Sequence, residues 1–206
     1  MTSPTHPKTR SCFQRGLFDG LTSFRELEGR ISGLATKGER GDAFEVFAEA
    51  YLATVAVEKA KHVWPGASVP HSLHKRLALT IGDKGVDGIF ETQLGEYHAY
   101  QAKFRTGRPS LTWNELSTFI GLADHVEHRV LFTNCDRFAN VVKQRTGFYA
   151  ITATISTNLN RRTLSSFARG LKARVSRDNQ RLRFRTKTKL STAFYPRCAS
   201  TTVPRR

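Results

Sequence analysis

The chain of 206 residues contains no apolar run close to the roughly 20 residues that a helix needs to cross a bilayer. Its first 15 residues are polar and basic, without the apolar stretch of a secretory signal peptide. The sequence has only three cysteines, which lie far apart and form no CxxC or CxxH spacing, so that neither a structural zinc site nor a disulfide framework is predicted. Together these absences predict a cytoplasmic protein without a membrane partner.

Several catalytic and nucleotide-binding patterns are also missing. The chain has no GxxxxGKS or GxxxxGKT sequence and no Rossmann glycine pattern, which excludes ATP binding through a P-loop. His125 and His128 lie three residues apart at a predicted helix end without an acid partner, so no metal site is predicted there. Cys135 has no base partner nearby, and a thiol nucleophile needs one, so this cysteine is predicted to be inert.

Acidic residues are almost absent from the C-terminal part of the chain. Residues 161–206 hold 14 Lys and Arg and a single acid, Asp178, whereas residues 1–160 hold 19 Lys and Arg against 16 acids. The net charge of +16 therefore comes mainly from the tail, and a basic chain is typical of nucleic-acid binding. Residues 153–206 are predicted to be a basic, largely disordered tail, because they lack sustained apolar periodicity apart from a short helix at 164–175. This tail is interpreted either as a DNA-binding arm or as the leftover or non-native end of a truncated larger protein.

Capping boxes and apolar periodicity predict the order of helices and strands. Residues 1–35 are predicted to be a loose, polar leader followed by a short helix at 24–34, which begins at the box Ser23-Phe-Arg-Glu26. The other predicted elements are a break at 36–41, helices at 42–61, 112–124 and 138–145, a loop at 68–75, an edge strand at 77–81, and strands at 86–92, 97–104, 129–133 and 148–152. This order predicts an α/β fold with a mixed sheet flanked by helices.

The stretch from Gly82 to Phe104 is predicted to form two strands joined by a turn at 94–96. Gln101 and Lys103 lie two residues apart on the second strand, so their side chains point the same way. Asp87 stands at the start of the first strand and can approach the same edge if the strands pair as a hairpin. An acid, a carbonyl-bearing side chain and a lysine can together hold a divalent metal and contact a phosphate.

Three short motifs follow one another along the chain: Gly41-Asp-Ala-Phe-Glu45 on a predicted helix, Gly85-Val-Asp87 on a strand and Gln101-Ala-Lys103 on the next strand. They resemble the Mrr-like branch of the PD-(D/E)xK nuclease superfamily. The resemblance covers residues 36–152 and continues through Ser110-Leu-Thr-Trp-Asn-Glu-Leu-Ser-Thr-Phe119 and Arg129-Val-Leu-Phe-Thr-Asn134. That longer pattern is similar to the N-terminal nuclease domain of helicase-like, single-polypeptide restriction enzymes.

The resemblance implies a restriction-endonuclease-like core, in which a central mixed β-sheet of four or five strands is flanked by helices. It also implies a nuclease domain at residues 36–152. A complete helicase-type restriction enzyme has a motor domain, which this chain lacks. A stand-alone nuclease, a subunit and a truncated copy of a longer enzyme therefore stay open.

The resemblance further implies a role for each site residue. Asp87 would be the main metal-binding carboxylate, Gln101 would replace the usual second acid, and Lys103 would be the motif lysine. Glu45 would be the helix-borne acid that returns the missing negative charge, although it could instead form an acidic capping box with Asp42. The alternative acids are Glu49 on the same helix and Asp83, which could instead be a turn residue.

Phosphodiester hydrolysis requires that the negative charge on the phosphoryl oxygens is neutralised and that a hydroxide is generated near neutral pH. A Mg²⁺ ion held by oxygen ligands can do both. Asp87, Gln101 and Glu45 are the predicted ligands, Mn²⁺ can substitute, and Lys103 can orient the water or stabilise the transition-state charge. The predicted function is a metal-dependent endonuclease of restriction type that acts on double-stranded DNA. The predicted DNA contacts are Arg105, Arg108 and Lys84.

Two other functions fit the same residues. One is a catalytically silent DNA-binding module of the same fold, and the other is a repair or structure-specific nuclease. A homodimer and an association with a helicase or methyltransferase component both stay open. The sequence does not determine the recognised DNA sequence or its methylation.

Overall fold

The computed structural model describes residues 6–55, 60–79, 85–123, 125–156, 159, 161–173 and 175–176. Its central feature is a sheet of five strands, which are β1 (His62–Pro65), β2 (Gly88–Glu91), β3 (Tyr97–Lys103), β4 (His128–Thr133) and β5 (Phe148–Ile151). The helices around it are α1 (Thr9–Gln14), α2 (Phe24–Ser32), α3 (Lys37–Thr54), α4 (His71–Arg76), α5 (Trp113–Leu122), α6 (Asn140–Lys143), α7 (Ala153–Ser156) and α8 (161–173), with a 3-10 turn at Gly66–Ser68.

The sheet is mixed, and its strands lie in chain order from β1 to β5. β1, β2 and β3 pair antiparallel, whereas β3, β4 and β5 pair parallel. β2 and β3 form a hairpin in which Thr92 N–H donates to the Glu96 carbonyl at 2.9 Å. Gly95 in this turn has a φ of 86°, a left-handed conformation that glycine adopts without a steric penalty. The prediction of an α/β fold with a mixed sheet of four or five strands and flanking helices is confirmed.

Helices cover both faces of the sheet. On one face, Phe44 and Phe47 of α3 each lie with their ring centroids 5.6 Å from that of Phe132 in β4. On the other face, Phe119 of α5 belongs to a buried cluster with Leu131 of β4. We call these the α3 side and the α5 side of the sheet. Two apolar layers therefore hold the strands in place.

The predicted break at 36–41 and the predicted helix start at Asp42 are wrong. α3 begins at Lys37, immediately after a capping box between Thr36 and Glu39. Thr36 N–H donates to Glu39 Oε2, and Glu39 N–H donates to Thr36 Oγ1, both at 3.0 Å. These bonds satisfy amides at the helix start, which outweighs the helix-weakening glycines of the segment.

The segment between α3 and β2 differs most from the prediction. α3 ends at Thr54 instead of Lys61, and β1 forms an edge strand in a stretch that was not predicted to be a strand. α4 lies largely within the predicted loop 68–75, and the predicted edge strand 77–81 is wrong for residues 77–79, which follow α4 without joining the sheet. The apolar residues of this segment are buried on the α5 side instead, namely Leu73, Leu77 and Leu79.

Two terminal segments pack against the outer surface of α3. The leader was predicted to be loose, but it contains α1, and its Phe18 is only 2% exposed. The predicted helix at 164–175 is confirmed where the structure describes it, and α8 places Phe167 with its ring centroid 5.6 Å from that of Phe47. α3 is therefore surrounded by apolar contacts, which explains why its apolar residues are not confined to one stripe.

The other predicted elements lie close to their observed bounds. α2, α5 with its capping box at Thr112, β4, α6 and β5 all fall within or next to the predicted ranges. The domain boundaries after residues 35 and 152 stay predictions, and the tail beyond residue 176 lies outside the described residues. None of the helices in the described part of the chain is long and apolar enough to span a membrane.

Gly88→Ala tests the packing at the start of β2. A Cβ at Gly88 would lie 2.5 Å from the Trp64 carbonyl and 2.5 Å from two ring atoms of Tyr100. We expect this overpacking to lower the free energy of unfolding by about 1–3 kcal/mol, measured as a lower urea midpoint. Gly29→Ala in α2 is the control, because nothing lies within 4 Å of its Cβ position and alanine favours a helix. Equal midpoints for the two variants would contradict the close approach of Tyr100 to Gly88.

Candidate functional site

Asp87 is fixed at the start of β2 by three backbone contacts. Its N–H donates to the Tyr100 carbonyl at 3.0 Å, and its carbonyl accepts from Gly66 N–H at 2.8 Å. Its carboxylate oxygen Oδ2 accepts from Ala102 N–H at 2.7 Å. The hairpin of β2 and β3 therefore determines where this carboxylate lies.

Gln101 lies on β3 beside Asp87 and is buried. The β2–β3 register pairs Gly88 with Tyr100, and its continuation by one residue places Asp87 opposite Gln101. Gln101 is 2% exposed, and its Nε2 donates to the Gly85 carbonyl at 2.7 Å. Its Oε1 is also buried, and no donor in the described part of the chain reaches it. An unpaired buried acceptor is costly unless a donor or a cation completes it.

Lys103 follows two residues later and is half-buried. Because Ala99 of β3 belongs to the cluster on the α5 side, strand alternation places Gln101 and Lys103 on that side as well. Among the described residues, no carboxylate forms an ion pair with the Lys103 ammonium. The Lys103 carbonyl accepts from Thr133 Oγ1 at 2.7 Å, which ties this end of β3 to β4.

The two helix acids, Glu45 and Glu49, lie one turn apart on α3. Glu49 is 1% exposed, whereas Glu45 is partly exposed. His6 contacts both of them: its backbone N–H donates to Glu49 Oε2 at 2.8 Å, and its Nε2 lies 3.0 Å from Glu45 Oε2. The N-terminal segment therefore joins the two predicted helix acids.

Tyr100 is influenced by both helix acids and by Asp87 at the start of β2. It is 1% exposed and projects to the α3 side, where it belongs to the same buried cluster as Phe44 and Phe47. Burial raises the pKa of Tyr100 well above its usual value, and the nearby charges of Glu49, Asp87 and Glu45 raise this pKa further. The charges of carboxylates on α3 and at the start of β2 therefore act on the same phenol.

A cavity of about 610 Å³ opens beside this group. Its lining includes Asp87, Glu45 and Asp42, together with three histidines. Gln101 and Lys103 are not among its described lining residues. The structure therefore brings Asp87 and Glu45 to one cavity, while Gln101, opposite Asp87, and Lys103 lie on the α5 side of β3. The histidines of the lining are His6, His71 and His74.

The predicted DNA contacts Arg105 and Arg108 are held by internal carboxylates. Arg105 Nη2 donates to Glu115 Oε1 at 2.6 Å, and Arg108 Nε donates to Glu28 Oε1 at 2.7 Å. Burial tends to raise the pKa of Glu115, but hydrogen bonds from Thr112 and Arg105 outweigh it and lower this pKa to about 2. Both acids are therefore charged partners of the arginines at neutral pH. Lys84 and Asp83 lie outside the described residues.

The donor chemistry of the site suits a hard divalent cation. Asp87 and Glu45 offer anionic oxygens, and the buried Oε1 of Gln101 offers a neutral oxygen without a described donor. Mg²⁺ prefers such oxygen ligands and uses few of them, because it keeps several waters. Within the described residues, no group of three or more His, Cys, Asp or Glu side chains is arranged to hold a metal. A cation at this site would therefore depend on the two carboxylates of Asp87 and Glu45, on the neutral oxygen of Gln101 and on water.

Cys135 is buried, and burial raises the pKa of its thiol. A thiol with a raised pKa is a poor nucleophile at neutral pH, and the inertness of Cys135 stays a prediction.

A comparison with protein families identifies a nuclease domain. Residues 53–155, half of the chain, match the model of the family Mrr_cat_2, which is described as restriction endonuclease. The chain belongs to this restriction endonuclease family. The resemblance to Mrr-like nucleases that the motifs indicate is thereby confirmed.

Two solved structures are similar to this chain. The ATP-dependent Type ISP restriction-modification enzyme LlaBIII bound to DNA is 21% identical with a TM-score of 0.49, over 64% of this chain and 8% of that chain. The DNA modification-dependent restriction endonuclease AspBHI is 19% identical with a TM-score of 0.47, over 83% of this chain and 41% of that chain. This chain thus spans less than half of the length of either protein. A comparison with curated proteins gave no match.

Sequence reasoning missed two residues of the site, Tyr100 and His6. Tyr100 had a usable signal, because it stands opposite Gly88 in the hairpin and a bulky residue facing a glycine indicates a ring packed across the strand. His6 had no local signal, because its partners Glu45 and Glu49 lie 39 and 43 residues away in sequence.

The charges of nearby carboxylates add to the effect of burial on the pKa of Tyr100. We expect Glu49→Gln to lower this pKa, because the variant removes the strongest of the three raising charges. The measurement is the NMR titration of ¹³C-labelled tyrosine rings, with Tyr100→Phe for assignment. The control is Glu96→Gln, which alters an acid at the other end of β3 and should leave the pKa unchanged. A Tyr100 pKa that is the same in both variants would contradict the influence of the Glu49 carboxylate on Tyr100.

The same shift predicts a pH dependence of stability. The native pKa of Tyr100 lies above the unfolded value of about 10, so the stability from its neutral phenol is complete below that pH and is lost as the pH rises further. The wild type should therefore lose more of its unfolding free energy above this pH than Tyr100→Phe does. Urea midpoints measured across the alkaline range check this, and parallel losses would contradict it.

Proposed function

We propose that this chain is a divalent-metal-dependent endonuclease that hydrolyses phosphodiester bonds of double-stranded DNA in a restriction system. The single observation that carries the proposal is the cavity that Asp87 and Glu45 line together, beside the strand β3 that bears Gln101. Family membership supports the nuclease class. The metal, the substrate and the residue roles are inferences from the site.

Asp87, Glu45 and Gln101 would hold the cation, with Mg²⁺ as the expected ion and Mn²⁺ as a substitute. When bound, such a cation neutralises charge on the phosphoryl oxygens and lowers the pKa of a bound water. Asp87 presents its carboxylate at a fixed place, because Ala102 N–H holds one of its oxygens. Glu45 supplies a second negative charge from α3, which compensates for the neutral amide of Gln101.

Lys103 is the proposed cationic group of the site. Its ammonium forms no ion pair with a described carboxylate, so its charge is not neutralised within that part of the chain. An ammonium held beside the reacting phosphate stabilises the negative charge that grows in the transition state, or orients the attacking water.

Arg105, Arg108 and Lys84 are the proposed DNA contacts. The carboxylates of Glu115 and Glu28 fix the two guanidinium groups at the end of the sheet where β3 finishes. Each arginine keeps further N–H donors for a phosphate, because a guanidinium has five of them. The ion pairs with Glu115 and Glu28 reduce the net positive charge that the two arginines present to DNA. We therefore expect these arginines mainly to orient the bound DNA through hydrogen bonds to its phosphates.

The proposed organisation keeps the nuclease domain at 36–152, preceded by the leader and followed by the basic tail 153–206. The leader and α8 pack against α3, so they contribute to the same apolar core. We place the protein in the cytoplasm, where double-stranded DNA is accessible. A homodimer and a helicase or methyltransferase partner are both compatible with this organisation, as is an origin by truncation.

Asp87→Asn and Lys103→Met test the catalytic proposal. Each variant is expected to lower Mg²⁺-dependent cleavage of plasmid DNA by about 100-fold or more, because Asp87→Asn removes a charged ligand of the cation and Lys103→Met removes the positive charge beside the phosphate. The matched controls are Asp19→Asn and Lys37→Ala, which alter exposed side chains outside the cavity lining and should cleave like the wild type. Cleavage that persists in Asp87→Asn, or that needs no divalent metal, would overturn the proposal.

A second function is favoured by one observation. The described residues offer no group of three acidic, histidine or cysteine side chains for a metal, and Gln101 is buried. These facts fit a catalytically silent module that binds DNA through its basic surface. Binding without cleavage, at an affinity that Asp87→Asn leaves unchanged, would support this function over the first. A repair or structure-specific nuclease would share the chemistry and differ in the preferred DNA.

Deleting residues 177–206 tests the proposed DNA-binding role of the tail. This cut keeps α8, whose Phe167 packs against Phe47, so the apolar core should stay intact. We expect the truncated chain to bind DNA more weakly and with a shallower dependence on salt, because fewer phosphates lose their counterions. The measurement is the affinity for a short duplex at several salt concentrations. An unchanged slope would show that the tail is not a DNA-binding arm.

A further inference from the structure

His6 contacts two acids of the candidate site, and neither the motifs nor the family match gives this residue a role. Its N–H donates to Glu49 Oε2 at 2.8 Å, its ring lies 3.0 Å from Glu45 Oε2, and its side chain is only 10% exposed. The segment is also anchored immediately after this contact. The His6 carbonyl accepts from Thr9 N–H at 3.0 Å, and Lys8 Nζ lies 3.7 Å from Asp42 Oδ2.

The hydrogen bonds define the tautomer of His6. Lys8 N–H donates to His6 Nδ1 at 3.2 Å, so this nitrogen is an acceptor and bears no proton. The ring proton of the neutral imidazole is therefore on Nε2, which donates it to Glu45 Oε2. In this arrangement Nε2 has no lone pair for a metal. The ring N–H instead donates to Oε2 of Glu45, which leaves Oε1 of the same carboxylate available to another partner.

Glu45 and Glu49 lie one turn apart on α3, where two like charges tend to turn their carboxylates away from each other. The two donors of His6, one from the backbone and one from the ring, restrain both carboxylates. Carboxylates that bind a metal are usually oriented by hydrogen bonds from outside the metal ligands, and the loss of such a bond typically reduces metal affinity by about 10- to 100-fold.

We propose that His6 is a positioning residue of the metal site, which orients Glu45 so that its Oε1 is presented to the cation. This inference rests on the proposed function, because it takes Glu45 as a metal ligand. The N-terminal segment then forms one wall of the cavity that Asp87 and Glu45 line. His6 acts through Glu45 and does not touch the metal or the DNA.

The test compares Mn²⁺ binding to the full chain and its variants by isothermal titration calorimetry. His6→Ala is expected to raise the Mn²⁺ dissociation constant by about 10- to 100-fold, because it removes the ring donor. His6→Gln retains a side-chain N–H donor and should recover most of the affinity. His71→Ala is the matched control, since His71 also lines the cavity but bonds neither helix acid in the described chain.

Cleavage kinetics provide a second readout. His6→Ala should need a higher Mn²⁺ concentration for half-maximal cleavage and should approach the wild-type kcat when the metal is saturating. Urea midpoints of the variants show whether each one is folded under the assay conditions.

The outcomes separate this inference from the proposed function. No Mn²⁺ binding by the wild type, or binding that Asp87→Ala leaves unchanged, would overturn the proposed site itself. Normal binding that depends on Asp87 but not on His6 would overturn only the positioning role. Equally weak binding by His6→Gln and His6→Ala would also overturn it, because the ring nitrogen would then be acting as a ligand.

Discussion

The ring of Tyr100 lies across Gly88, and the geometry of the site depends on this contact. A side chain at Gly88 would collide with the ring and with the Trp64 carbonyl, so the absence of a Cβ lets the phenol pack against the backbone of β2. The same hairpin register puts Asp87 opposite Gln101. One glycine therefore permits both the burial of the aromatic ring and the placement of the strand acid.

This packing has an electrostatic cost. The charges of Glu49, Asp87 and Glu45 all raise the pKa of the Tyr100 phenol, and Asp87 and Glu45 line the same cavity. Hydrogen bonds from His6 and from Ala102 offset part of the repulsion. A bound cation would offset more of it, and a fold that retains such a group of acids is easier to explain by function than by stability.

Local signals in the sequence predicted much of the fold. Strand alternation and turn residues gave the hairpin of β2 and β3, and the capping box at Thr112 gave the start of α5. The start of α3 was missed although Thr36 and Glu39 form an equally good box, because the two glycines of that segment were given more weight. β1 was missed because four residues are too short a run for alternation to be recognised.

The candidate site was predictable only where one element determines it. The spacing of Gln101 and Lys103 placed them on one side of β3, and the motif order brought Asp87 to the same hairpin. The burial of Gln101 and its bond to Gly85 depend on how α5 packs, which no local pattern encodes. The contacts of His6 depend on a chain path of about forty residues and could not be read from the sequence.

The short edge strand β1 constrains how two copies of this chain could meet. It has four residues and ends at Pro65, which has no N–H to donate to a neighbouring strand. Such an edge resists extension of the sheet by a second chain. If two copies come together to sever both strands of a duplex, their contact must be sought on helices or at the β5 margin, and not in a continuous ten-stranded sheet joined through β1.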